Sequence, residues 1–159
     1  MESIPFNVPF QHLDGNSSFA ERVFALLKDV YDGRDVSVDF HLAMQHVSNY
    51  GRKILEATCS IPVGYVAPYG GVARAAGGSP RAVGQIMASN PFAPLVPCHR
   101  VVSSDFTLGG YGGGLEAKLK FLKRESRGYS SERDIQVKGK TLRVYPAELV
   151  IRKVEKDKR

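Results

Sequence analysis

Pro97-Cys98-His99-Arg100-Val101-Val102 places a thiol between a rigid proline and two nitrogen-rich side chains. Ahead of it runs Ser89-Asn90-Pro91-Phe92-Ala93-Pro94-Leu95-Val96, and behind it a loop that ends in Gly109-Gly110-Tyr111-Gly112-Gly113-Gly114. A free cysteine titrates near about 8.5, and neighbouring cations pull that value down. The stretch therefore predicts a thiol of lowered pKa, which is a nucleophile's environment. Taken alone, Cys98 also reads as a small buried hydrophobe, because free cysteine is among the most often buried residue types.

Upstream, Tyr69 to Asn90 reads as two short helices joined by a tight turn. Val72, Ala73 and Ala76 form the inner side of the first, Gly77-Gly78 turn the chain, Ser79 caps the second and Pro80 suits its first position. In the second helix Val83, Ile86 and Met87 recur at i, i+3 and i+4, which leaves Ala82, Gln85, Ala88 and Ser89 outward and Arg81 in the first turn. That outer face is small and nearly uncharged. A major-groove reader needs Arg, Asn or Gln aimed at base edges. A flat face suits the narrower minor groove instead, where one Arg can replace a base lifted out of the stack. An ordinary helical hairpin is the plain alternative.

Downstream, the glycine run permits tight turns and close backbone approach to a ligand. Leu115 to Glu125 is predicted as a helix with Leu115, Leu119 and Leu122 on one face, and Glu125 continues that face. A carboxylate near a helix C-terminus opposes the macrodipole, and on an inner face it needs a partner. His99 is the candidate.

Further out, residues 1–16 read as a loosely structured lead-in with one short strand. Ser17 or Ser18 caps a helix carrying Phe19, Val23, Leu26, Leu27 and Val30, which ends near Asp32-Gly33. Val36 to Phe40 alternates as a short strand or extended segment. A second helix starts around Ser48, turns Tyr50, Ile54, Leu55 and Thr58 inward and stops at Ile61-Pro62, with Cys59 in a structural role. Towards the C-terminus, Ile135 to Tyr145 resembles a β-hairpin around Lys138-Gly139-Lys140, followed by a strand or short helix over Glu148 to Val154 and a basic tail, Arg152 to Arg159.

The chain has 159 residues, 43% hydrophobic and 24% charged, a composition expected of a soluble globular protein inside the cell. No apolar run approaches the roughly 20 residues of a membrane span, and the N-terminus lacks a basic and apolar leader. Cys59 and Cys98 are expected reduced. The four histidines have no paired spacing with cysteine, so no metal site is predicted. Met1 to Tyr50 carries three Lys+Arg against seven Asp+Glu, net −4, and the remainder nineteen against nine, net +10. The half that carries Cys98 is thus the one suited to a polyanion.

Pro-Cys-His-Arg-Val, with Asn90 eight residues upstream and the glycine-tyrosine loop downstream, resembles the active-site signature of the O6-alkylguanine-DNA alkyltransferase family. The likeness runs from about Phe24 to Glu125 and includes Tyr50 to Glu56, Ile61 to Gly64 and Arg81 to Gly84. It implies an α+β fold: a short N-terminal α/β lobe over 1–47, a helical DNA-binding and alkyl-transfer domain with a helix-turn-helix over 48–126, and a C-terminal extension over 127–159. The last is expected to be β-rich and to complete the N-terminal sheet.

The function implied is direct-reversal DNA repair. A monomer without cofactor, cytoplasmic or nucleoid-associated (nuclear in a eukaryote), would flip O6-alkylguanine or O4-alkylthymine out of double-stranded DNA through the minor groove and keep the alkyl group on Cys98. By the same resemblance His99 is the base acting through a water, Glu125 orients it, and Asn90 braces the network. Tyr69 donates to the guanine ring and Arg81 is the finger in the stack. Ala82, Gly84, Arg100, Val101, Tyr111, Gly112 and Gly113 line the DNA or base. The family commonly has Tyr-Ser-Gly-Gly where this chain has Tyr111 to Gly114, so the Gly112 N–H is expected to serve O6.

Three rivals carry less. A lesion-binding relative without transfer lacks the cysteine. A thiol hydrolase draws nucleophile and base from separate parts of the chain, whereas here they are adjacent. A transcriptional regulator needs a more polar outward face on its second helix.

Overall fold

The computed structural model describes residues 3–4, 18–37 and 41–159. The Ser17 cap, most of the 1–16 lead-in and the 38–40 part of the expected Val36 strand lie outside the described residues. Residues 34–37 form no strand. Instead β1 (Ser3–Ile4) pairs in parallel with β2 (His41–Leu42).

Between those strands stands α1 (Ser18–Tyr31), whose expected stripe is the less exposed one. Val30 is buried, while Phe24 on the opposite side is 73% exposed. Next comes α2 (Asn49–Cys59), started by Ser48, whose hydroxyl accepts the Gly51 N–H at 3.0 Å. Gly51, Ile54, Leu55, Ala57 and Thr58 are buried, the 3.6-residue pattern read from the sequence.

The chain then lays down β3 (Tyr65–Pro68), α3 (Tyr69–Ala76), α4 (Pro80–Ala88) and β4 (Val101–Val102). The Ser79 hydroxyl accepts from the Ala82 N–H, and Pro80 needs no donor there. Val72, Ala73 and Ala75 are buried in α3, so Ala75 takes the inner place expected of Ala76. Val83 and Met87 are buried in α4, with Ile86 half-buried. The crossover makes β3 and β4 parallel neighbours, Ala67 opposite Val101 and Pro68 opposite Val102.

After α5 (Leu115–Glu125) come β5 (Arg133–Val137) and β6 (Lys140–Pro146), joined by a two-residue turn. Lys138 and Gly139 both have positive φ, 48° and 80°, as a type I′ hairpin turn requires. This hairpin is the one predicted, but its partner is not. It joins β3, Tyr65 opposite Pro146, in a four-stranded sheet of order β4-β3-β6-β5, and makes no pairing with β1 or β2 among the described residues. Among the described residues the segment therefore extends the sheet of the Cys98 unit and not the pair β1-β2. With β4 on one side only, β3 would leave a row of unpaired N–H and C=O groups on its other edge, and β6 takes them up.

The final segment is a helix, α6 (Ala147–Asp157), where strand and helix stood open, and it includes most of the residues expected as a frayed basic tail. Ala147, Val150, Ile151 and Val154 give it an apolar stripe that holds it down.

Alternation along the strands divides the core. Ala67, Val101, Leu142 and Val144 face α2, α3 and α4, while Val66, Val102 and Tyr145 face α5 and α6. Cys98 belongs to the first layer, immediately before β4.

Candidate active site

Pro97 leads into a single 3₁₀ turn, Cys98–Arg100, and strand β4 fixes it from the other side. The Cys98 N–H donates to the Val96 carbonyl at 2.8 Å, and the Asn90 side-chain amide donates to the same carbonyl at 3.0 Å. Asn90 Oδ1 accepts the Phe92 N–H at 2.9 Å, which closes the turn between α4 and the cysteine. Asn90 is thus a brace from both ends of its amide.

Cys98 opens on a cleft of about 450 Å³ lined by Tyr69, Gly84, Met87, Ala88, Ser103 and the loop Gly109 to Gly112. A second hollow, about 290 Å³, continues past it to Tyr31, Asn90, Ala93, Pro94 and Gly113. Gly109 has φ +67°, and a Cβ there would lie 2.9 Å from the Tyr69 ring, so only glycine fits on both counts. No atom lies within 4 Å of a Cβ placed on Gly84, whose side of α4 is bare.

Behind the thiol runs a buried chain of polar groups. His99, fully buried, is bonded through Nε2 to Glu125 Oε1 at 2.8 Å and stacks on Phe121 at 4.5 Å. Arg100 donates to both oxygens of the same carboxylate, each at 2.9 Å, and to the Ile61 carbonyl at 2.7 Å. Burial by itself pushes Glu125 up, but the bonds from His99 and Arg100 outweigh it and hold the carboxyl at about 2. Burial lowers His99, so the ring is neutral at neutral pH. A neutral ring that donates from Nε2 to a carboxylate keeps its lone pair on Nδ1, which is buried and has no partner among the described residues. Nδ1 is the basic atom of the site.

The thiol itself departs from expectation. Burial pushes Cys98 up, against the Asn90 side chain and Lys118, which pull it down. Arg100, two residues on in the sequence, is committed to Glu125. Tyr69, raised by burial and by Cys98, remains a neutral phenol, with its hydroxyl 3.4 Å from the Gly110 carbonyl. Burial also takes Tyr111 to about 12.

Of the predicted residues, Cys98, Asn90, Tyr69, Gly84, Tyr111, Gly112 and Gly113 meet around the cleft, with His99 and Glu125 behind it. Arg81 is exposed and Ala82 half-exposed in the first turn of α4, outside both hollows. Arg100 and Val101, expected against DNA, turn their side chains inward. The guanidinium is spent on Glu125 and Ile61, and the Val101 side chain is fully buried. Leu115, expected on the inner face of α5, is 50% exposed.

The residue that sequence reasoning missed is Lys118. Its ammonium is fully buried and donates to the carbonyls of Val101 at 2.7 Å, Gly110 at 3.0 Å and Leu108. It lies 5.8 Å from the Tyr69 ring centroid. The signal was present: Lys118, Leu122 and Glu125 stand at i, i+4 and i+7, on one face of the helix.

Residues 49–127 match the family described as 6-O-methylguanine DNA methyltransferase, DNA binding domain. The methylated-DNA--protein-cysteine methyltransferase of Methanothermobacter thermautotrophicus is 41% identical over 95 residues, which cover 59% of this chain and 54% of that protein, about half its length. The same-named protein of Mycobacterium leprae is 37% identical over 116 residues, 71% of this chain and 68% of its own. Among solved structures, the Mycobacterium tuberculosis OGT in complex with DNA superposes with a TM-score of 0.61 at 32% identity, over 66% of each chain. With the cysteine turn, the glycine loop and the buried His-Glu pair all inside the matched stretch, the chain belongs to the methylated-DNA--protein-cysteine methyltransferase family.

Proposed function

We propose that this chain repairs DNA by direct reversal, moving the alkyl group of an O6-alkylguanine from the duplex onto Cys98. The observation that carries the reading is a free thiol opening on the cleft, with a neutral histidine behind it whose Nδ1 lone pair is buried and unpartnered. Such a group can accept the thiol proton through a bridging water, while Glu125 and Arg100 keep the ring in the right tautomer.

In the transfer, the Cys98 sulfur forms a bond to the alkyl carbon as the carbon–O6 bond breaks. The electron pair of that bond stays with the guanine. The proton lost by the thiol is balanced by one gained by the base, which leaves as ordinary guanine. Tyr69, held as a neutral phenol, donates to the guanine ring, and the Gly112 N–H serves O6. The product is a thioether with no group nearby to cleave it, so each molecule acts once.

Cys98 is buried at the cleft, so the nucleotide must leave the stack to reach it, at a cost of a few kcal/mol that is smallest for a weakly paired lesion. The bare Gly84 and Ala88 side of α4, which borders the cleft, suits the minor groove, and exposed Arg81 in the first turn fills the gap. O4-alkylthymine would enter the same way. Every group named comes from one chain, so a monomer suffices, and its place is inside the cell with the DNA.

Intact-protein mass after incubation with a duplex carrying one O6-methylguanine tests the reading. The wild type is expected to gain one methyl group, mapped to Cys98 and stoichiometric with repaired base, and Cys98→Ser none. Lesion-selective binding without an adduct would overturn transfer in favour of damage sensing.

A further inference from the structure

Across the first turn of α3 from the Cys98 cleft lies a separate hollow of about 220 Å³, floored by Pro68 and Gly71 and walled by Arg74, Thr141, Arg143 and Tyr145. We propose that it seats a phosphodiester of the DNA strand whose nucleotide enters the Cys98 cleft. The inference rests on the DNA-repair reading above and adds a contact to it. Arg143, Thr141 and Tyr145 stand on the C-terminal hairpin, outside residues 49–127 that match the family.

Charge and geometry select an anion. Asp134 also borders the hollow, and it grips Arg143 through Nε at 2.8 Å and Nη2 at 3.1 Å, which fixes the guanidinium plane and leaves Nη1 without a partner among the described residues. Arg74 is exposed and meets no carboxylate among the described residues. A Cβ built on Gly70 would meet Arg74 Nη1 at 3.6 Å and Pro80 Cγ at 3.7 Å, so this guanidinium reaches towards the start of α4. Thr141 Oγ1 accepts from Gln136 at 3.1 Å, and its own hydrogen remains to donate. Two guanidiniums therefore face the hollow against a single, already paired carboxylate. Planar guanidinium forks match phosphate oxygens better than any other side chain.

Position selects the source. Tyr69 lines one hollow and Gly71 the other, and residues two apart on a helix point to nearly opposite sides, so the width of α3 separates them. A helix is about 10 Å wide, a distance that a strand rising about 3.4 Å per nucleotide covers in roughly three steps. A phosphate a few nucleotides from the flipped base thus falls within reach of Arg74 and Arg143.

The test is binding of the full chain to a short duplex across a salt series. Each phosphate contact contributes about 0.9 to the slope of log K against log salt. Arg74→Gln and Arg143→Gln are each expected to flatten the slope by about that amount, and Lys153→Gln, exposed on the outer side of α6, to leave it unchanged. A slope unaltered in the double variant while the wild type binds duplex overturns this site and leaves the repair reading standing. An equal drop with Lys153→Gln also overturns it, because the effect is then general charge. A wild type that binds no duplex overturns both.

Discussion

Lys118 is the side chain on which the rim of the cleft depends. Three backbone carbonyls, from Val101, Leu108 and Gly110, converge on its ammonium, so one residue joins β4 to the glycine loop. Burial lowers it to about 8, and the neighbouring Cys98 pulls the other way. Lys118→Met would strand those carbonyls, each at about 1 to 3 kcal/mol if left unpaired. Its melting temperature is expected to fall by more than about 6 °C.

Removing that charge also takes away a group that draws the Cys98 thiol down. Alkylation of Cys98 by iodoacetamide, followed against pH in folded protein, is expected to show no plateau near neutrality in the wild type, because burial holds the thiol above its ordinary range. The Lys118→Met profile should lie higher still. A wild-type plateau near neutrality would refute the raised thiol. Sequence proximity misled at this scale for a physical reason: Arg100 stands two residues after Cys98, but its charge is paired with Glu125. The groups that draw the thiol down are the Asn90 side chain first and then the charge of Lys118, twenty residues away.

Among the elements, those with local signals were legible. Ser48 and Ser79 start helices through their hydroxyls, and the Lys138-Gly139 turn made the hairpin readable in advance. Its neighbour was not readable, because strand pairing across more than sixty residues leaves no local mark. Leu142, in the strand that bonds to β3, is 1% exposed and packs beneath α3. Leu142→Ala is expected to cost about 2 to 5 kcal/mol, read as a drop of roughly 4 to 20 °C in melting temperature. A neutral result would mean that the hairpin is appended to the core and not part of it. Gly109→Ala tests the loop instead. Strain at φ +67° and the clash with the Tyr69 ring should displace the cleft's rim and slow transfer at least tenfold, with little loss of secondary structure by circular dichroism.

At the scale of the molecule, α5 is the member to which the other parts attach. Arg124 donates to the Tyr31 carbonyl at 2.9 Å and Arg127 to that of Gly33, which fastens α1. Phe121 stacks on His99, and Glu125 clamps His99 and Arg100. The acidic portion of the chain, net −4, is therefore joined to the basic portion, net +10, by two guanidiniums, Arg124 and Arg127, that donate to backbone carbonyls at the end of α1 and just beyond it. Glu125 is held at about 2 against an ordinary 4.5, so its stabilisation is complete above 4.5 and is lost as pH falls towards 2.

His99 acts in the same direction at higher pH. The unfolded ring takes a proton near 6.5, which the buried ring resists, so stability declines as pH drops below that value. The melting temperature is thus expected to fall in two stages, one beginning near pH 6.5 and another near pH 4.5. Glu125→Gln should lose about 3 kcal/mol at neutral pH, or roughly 6 to 12 °C. The gap to wild type should close as pH approaches 2, where the native carboxyl is itself protonated. A gap independent of pH would show that Glu125 acts through its shape alone, and the charge that keeps the His99 lone pair on Nδ1 would then have to come from elsewhere.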